Sequence, residues 1–172
     1  TIKFPKVSEI QISGLDDKNN LLLKNEINVL NIKNLFFLKK SVIEEIIDTN
    51  NLVENYLVFK KYPSTLDIKI NKTIFLAKLK KKNSNYILGS NGKLINTSNE
   101  ENNLPFIFGD FEIQNFFELK DMLDDTNFDY NSIRNLFFFK SGRWDIETKD
   151  GILIKLPKEN LKKAIELFKI FL

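Results

Sequence analysis

The sequence predicts an α+β protein: a βααββ unit followed by a mainly antiparallel β-sheet carrying two helices. Three observations predict it. Leu66, Ile68 and Ile70 alternate with Asp67, Lys69 and Asn71, as in a sheet with one buried and one wet face. Val42/Ile46 and Ile43/Ile47 recur at the four-residue spacing of an apolar helix face. Asn91-Gly92 and Asp150-Gly151 each sit between two apolar runs, as hairpin turns do.

The elements follow in order. Val7 to Ser13 places Ile10 and Ile12 on one side of a strand that Ser13-Gly14 ends, and a helix runs through Asn20 to Val29. Ser41, Val42, Ile43 and Glu44 read as a capping box opening a second helix, with Ser41 as the cap and Glu44 reaching back. Strands at Tyr56 to Lys60 and Thr65 to Asn71 follow, and Pro63, unable to donate to a ladder, belongs to their connection. Ile74 to Leu79 can run as a strand. Tyr86-Ile87-Leu88 and Leu94-Ile95 face each other across Asn91-Gly92, where two positive-φ residues would close a tight hairpin.

The polar stretch Asn96 to Asn103 reads as a surface loop. Beyond Leu104-Pro105 to Gly109, a helix from about Glu112 to Leu123 turns Ile113, Phe116, Phe117 and Leu123 to one side. Ile133 to Phe139 is a strand in which Phe137, Phe138 and Phe139 must divide between two faces, with burial under a helix expected. Trp144, Ile146 and Thr148 face Ile152, Ile154 and Leu156 across Asp150-Gly151. A last helix after Pro157 carries the stripe Leu161, Ala164, Ile165, Phe168 and Leu172. The two units are expected to span 1–72 and 73–172.

Composition excludes much chemistry. The chain has 42% hydrophobic residues and 28% charged, enough apolar area for a folded core. It has no Cys and no His, which removes thiolate nucleophiles, imidazole bases and the soft ligands of transition metals, so no cofactor or metal is expected. A formal charge of +3 is too small for a nucleic-acid footprint. The run Lys78, Lys80, Lys81 and Lys82 has no aromatic platform interleaved and reads as a solvated strand end and turn. Asp121, Asp124 and Asp125 lack the spacing of a calcium loop and read as a solvated helix end. A chain that begins at Thr1 and stops within the apolar run Ile170, Phe171, Leu172, with no span or leader of its own, reads as a fragment.

Six strings in order resemble one family. Phe4-Pro5-Lys6-Val7 to Ile12-Ser13-Gly14, Ile32-Lys33-Asn34-Leu35-Phe36-Phe37-Leu38, and Tyr62-Pro63-Ser64-Thr65-Leu66-Asp67-Ile68 are similar to the POTRA domain of FtsQ/DivIB cell-division proteins. Gly89 to Leu94, Leu104-Pro105-Phe106-Ile107-Phe108-Gly109, and Gly142-Arg143-Trp144-Asp145-Ile146 with Asp150 to Leu156 resemble that family's second, β-rich domain. Two positions depart from the pattern: Lys72 replaces a usual acid, and Phe75 a common proline. The family's terminal strand, with its Asp-Leu-Arg-like segment, has no counterpart.

The resemblance implies a non-enzymatic divisome scaffold, anchored in the bacterial inner membrane by an N-terminal helix outside this sequence, with this part in the periplasm. Its implied partners are the periplasmic segments of FtsB and FtsL and other divisome proteins, bound by strand addition at a sheet edge. Candidate partner-binding residues are Tyr62, Pro63, Arg143, Trp144, Lys155 and Phe168. Against each stands a plainer role: Tyr62 and Pro63 as turn packing, Trp144 as core with Arg143 a surface neighbour. Two other functions compete with this one: a POTRA module of an outer-membrane assembly or secretion factor, which usually repeats its POTRA unit, and a cell-wall hydrolase working through paired carboxylates. No acid sits in an apolar sequence setting that would suit the second.

Overall fold

A computed structural model describes residues 5–96 and 103–169. Within these the chain forms two compact units: residues 1–74 together with Gly89–Lys93, and Phe75–Leu88 together with Leu94–Leu172. Both are α+β.

The first unit runs β1 (Glu9–Ser13), α1 (Asp17–Val29), α2 (Lys40–Asp48), β2 (Val53–Lys61) and β3 (Thr65–Lys72). Its three strands lie in the order β1-β3-β2, β1 parallel and β2 antiparallel to the central β3. Leu66, Ile68 and Ile70 of β3 meet Leu23 and Ile27 of α1 and Ile43 and Ile47 of α2 in one core. Asp16 caps α1, its side chain accepting from the Asn19 backbone N–H at 3.0 Å. That bond favours the ionised carboxylate and holds Asp16 below the usual range. The capping box expected at Ser41 does not form. α2 begins at Lys40, its N-cap is Lys39 with no side-chain bond, and Glu44 instead reaches Lys40 at 3.0 Å. Glu44 lies three positions after Ser41 as a box requires, but the helix starts two residues too early for Ser41 to be its N-cap.

The turn Gly89–Lys93 groups with this unit. Only Gly92 has positive φ (74°), and the Gly92 N–H donates to the Gly89 carbonyl at 3.0 Å. This is therefore a turn followed by one left-handed residue, not a tight turn with two. Asn91 is released from that backbone duty and its amide works elsewhere. Its Nδ2 donates to the carbonyls of Asn51 (3.0 Å) and Val53 (2.8 Å), and its Oδ1 accepts from the Lys93 N–H (3.0 Å). Asn91→Ala is expected to destabilise the first unit by about 1–2 kcal/mol, because the Val53 carbonyl loses its donor in a partly buried setting and the exposed Asn51 carbonyl loses its own. Faster hydrogen exchange at Val53 and Thr73 would register it, and unchanged exchange there would contradict it.

The second unit carries β4 (Phe75–Lys81), β5 (Ser84–Gly89), β6 (Leu94–Asn96), β7 (Phe106–Phe108), α3 (Ile113–Asp125), a 3-10 turn (Tyr130–Ser132), β8 (Ile133–Phe138), β9 (Trp144–Thr148), β10 (Leu153–Lys155) and α4 (Leu161–Lys169). Its strands order as β10-β9-β8-β7-β4-β5-β6, with β7 parallel to both β4 and β8 and the hairpin pairs antiparallel. The two-residue hairpin with both central residues at positive φ lies at Lys82-Asn83 (47° and 65°), between β4 and β5. α3 opens with the Glu112 N–H donating to Asn115 Oδ1 at 3.0 Å. Ile107, Leu136, Ile146 and Ile154 project from the sheet into a core with Phe116, Leu119 and Leu123 of α3 and Ile165 of α4. Tyr130 donates its hydroxyl to the Leu76 carbonyl at 2.9 Å, and burial pushes its phenol pKa up, with the Asp124 charge a smaller cause. Asp124 is paired with Lys120 and Asp125 with Lys162. The expected loop at Asn96 to Asn103 and the stripe residue Leu172 lie largely or wholly outside the described residues.

Candidate partner-binding face of the second unit

Residues alternate across a pleated strand, so the core face of the second sheet defines its opposite face. With Ile107, Leu136, Ile146 and Ile154 turned to the helices, the register Phe108↔Phe137↔Asp145↔Lys155 and Phe106↔Asn135↔Glu147↔Leu153 places two rows on the other face. Among the described residues, Phe106, Phe108 and Phe137 of these rows do not pack into the core that the helices form. Phe108 stacks on Phe137 (centroids 5.1 Å apart, planes at 12°) and meets Phe106 at 4.6 Å. This aromatic row answers the question raised by Phe137, Phe138 and Phe139. Phe138 alone turns under the helices, against Trp144 at 4.8 Å; Phe137 lies on the open face and Phe139 is exposed. Burial of the cluster under a helix thus holds for one ring of the three, since strand alternation sends its neighbours the other way.

Arg143 organises the charged part of this face. Its Nε and Nη2 reach the two oxygens of Asp145 at 3.0 and 3.2 Å, a forked pair, and its guanidinium lies 4.7 Å from the centre of the Phe139 ring. Asp145 is 3% exposed, so the pairing offsets the desolvation its carboxylate would otherwise suffer. Glu147, one row away, accepts from Asn135 Nδ2 at 2.8 Å. Phe137, Phe139, Asp145, Glu147, Gly151 and Leu153 line a shallow cavity of about 310 Å³.

The face ends at β10, which is hydrogen-bonded to β9 on one side and terminates the strand order. The Leu156 N–H donates to the Trp144 carbonyl (3.1 Å) and the Ile152 carbonyl accepts from the Thr148 N–H (2.9 Å), so even-numbered residues point their backbone groups at β9. Those of Leu153 and Lys155 consequently point away from the sheet.

Of the six candidate residues, the structure brings two together: Arg143 and Lys155 share the open face, flanking Asp145. Trp144 is 4% exposed and lies on the core side with Phe138 and Phe111. Phe168, on α4, packs half-buried against the same core. Tyr62 and Pro63 belong to the first unit, in the β2–β3 connection, joined by a cis peptide and both exposed. Sequence reasoning did not name Asp145, Phe108, Phe139 or Leu153 as partner-binding candidates. The signal was present in the two-residue steps from Arg143 to Asp145 and from Phe137 to Phe139, but only the strand register shows that they share a face.

Among the described residues no helix is long and apolar enough to cross a membrane. Comparison with curated proteins finds no match. Among solved structures, the fold is similar to the major extracytoplasmic domain of the trans isomer of the bacterial cell-division protein DivIB from Geobacillus stearothermophilus, at 12% identity and a TM-score of 0.43, covering 58% of this chain and 91% of that one. The model of the C-terminal part of cell-division protein FtsQ/DivIB matches residues 77–172, the span that holds nearly all of the second unit with its sheet, helices and open face. Since that match covers more than half of the sequence, the chain belongs to the FtsQ/DivIB family of cell-division proteins.

Proposed function

We propose that this chain is a non-enzymatic scaffold of the division machinery, the periplasmic part of a single-pass protein of the bacterial inner membrane, which joins the periplasmic segments of FtsB and FtsL to other divisome proteins. The reading rests on family membership and on one observation: a sheet edge with outward backbone donors and acceptors at Leu153 and Lys155 borders an aromatic and charged face. Backbone pairing at such an edge supplies affinity, and side chains on the adjoining face supply selectivity. Arg143 suits the second role because Asp145 and Phe139 hold its guanidinium in place, and fixed groups lose little freedom on binding. Trp144 and Phe168 contribute by supporting the hairpin and sheet from behind. Tyr62 and Pro63 would form a separate contact on the first unit.

The test removes one outward N–H without disturbing the ladder to β9. Lys155→Pro is expected to weaken binding of an FtsB/FtsL periplasmic peptide by about tenfold or more, because proline cannot donate to an added strand. Lys155→Ala keeps the donor and should bind within about threefold of the parent if the ammonium is a rim group, worth little. Calorimetry giving equal affinities for the proline and alanine variants would rule out strand addition at this edge.

A further inference from the structure

The α1–α2 connection of the first unit displays two adjacent phenylalanines. Phe36 and Phe37 are 60% and 69% exposed, while Leu35 before them is buried in the core and Leu38 after them packs half-buried against it. Residues 31–39 form neither helix nor strand, so this in-out-out-in order belongs to an irregular loop. The loop is anchored by its flanks and presents its middle. It is also held in shape: Asn34 Oδ1 accepts from the Phe37 N–H at 3.0 Å, Lys60 Nζ donates to the Leu38 carbonyl at 2.6 Å, and the two rings meet edge to face at 5.3 Å.

The charges carried by the segment that holds the rings have one sign. No acid occurs between Glu26 and Glu44, whereas Lys33, Lys39 and Lys40 bracket the pair and are exposed. Lys40 is paired with Glu44, while Lys33 and Lys39 form no ion pair among the described residues. From this we infer that the Phe36-Phe37 loop seats in the surface of a phospholipid bilayer bearing anionic headgroups, with the rings at the acyl boundary and the lysines at the phosphates. Two rings on a convex loop offer far less area than the ~800 Å² per partner of a stable protein interface. They are enough for interfacial insertion, where apolar burial and attraction of lysines to anionic lipid add. Because the loop is already ordered, little conformational freedom is lost on insertion. The inference is independent of strand addition at β10, which lies in the other unit.

Cosedimentation with vesicles tests it. The chain is expected to bind vesicles of phosphatidylcholine mixed with phosphatidylglycerol, and pure phosphatidylcholine vesicles about tenfold more weakly. Phe36→Ser with Phe37→Ser should lower partitioning about tenfold or more. Lys33→Glu with Lys39→Glu should do so to a similar degree, and added salt should weaken the parent chain. These side chains are exposed, so circular dichroism should show the variants folded. The chain has no cysteine, so a single Phe36→Cys can carry an environment-sensitive dye, with Asn71→Cys on the polar sheet face as control. A blue shift with mixed vesicles is expected at position 36 alone. Failure to bind mixed vesicles, undiminished binding by the double serine variant, or equal shifts at both positions would each overturn the inference. So would a shift at position 36 that follows protein concentration without lipid, which would make a second copy the occupant.

Discussion

Truncating Phe116 to alanine is expected to lower the unfolding free energy of the second unit by about 3–5 kcal/mol, because a fully buried ring leaves a cavity that its neighbours refill only in part. Phe116 is completely inaccessible and shares its core with Leu119, Leu123, Leu136 and Ile146. Its chain neighbour Phe117 is half-buried and meets it edge to face at 5.8 Å, so Phe117→Ala removes a ring without opening the core. That control should cost about 1–2 kcal/mol. The readout is built in. Trp144 is the only tryptophan and lies buried in this same core, so its emission in urea follows this unit and no other. A loss under about 1 kcal/mol for Phe116→Ala, or equal losses for the two variants, would show that α3 does not pack the sheet as described.

Features with a short-range physical cause were legible in the sequence. Alternation in β3 and the four-residue spacing in α2 state which apolar side chains are buried, and the structure buries Leu66, Ile68, Ile70, Ile43 and Ile47 accordingly; Asp67, expected on the wet face, is buried as well, its carboxylate paired with Lys61 at 2.7 Å. Misreadings arose where several local solutions share one signature. Ser41 and Glu44 fit a capping box, yet Glu44 is equally placed to pair with Lys40 four residues earlier, and that pair is what forms. Asn91-Gly92 fits a tight turn with two left-handed residues, but such a turn also serves with glycine alone left-handed, which frees the Asn91 amide to bind Asn51 and Val53. The candidate face was least legible because it depends on strand order. Nothing local to Phe106-Ile107-Phe108 says that this strand lies between β4 and β8, and without that placement Phe108 has no reason to meet Phe137, 29 positions on. Arg143 was singled out by residue type, whereas its partner Asp145 emerged only once β9 fixed them on one side.

Gly109 supplies the second large effect, and it bears on that face directly. Its φ is +109°, and a β-carbon built there would lie 2.1 Å from the Phe138 carbonyl oxygen and 3.0 Å from its carbonyl carbon. Both are backbone atoms of β8, which cannot rotate aside as a side chain would. Gly109→Ala must therefore accept a strained φ and also push the end of β7 away from β8. Gly151 separates the two costs, because its φ is +84° but nothing lies within 4 Å of the added carbon. Gly151→Ala is expected to cost about 1–3 kcal/mol from backbone strain alone. Gly109→Ala should cost a further 1–3 kcal/mol or so from the clash, again by urea titration of Trp144 fluorescence. The added loss should be accompanied by faster hydrogen exchange in β7 and β8, since Phe108 and Phe137 lie on the strands that are forced apart. Equal midpoints for the two alanine variants would mean that the strands yield freely at Gly109. The Phe108–Phe137 stack would then be a contact the sheet tolerates, rather than one fixed by how closely the backbones approach beside it.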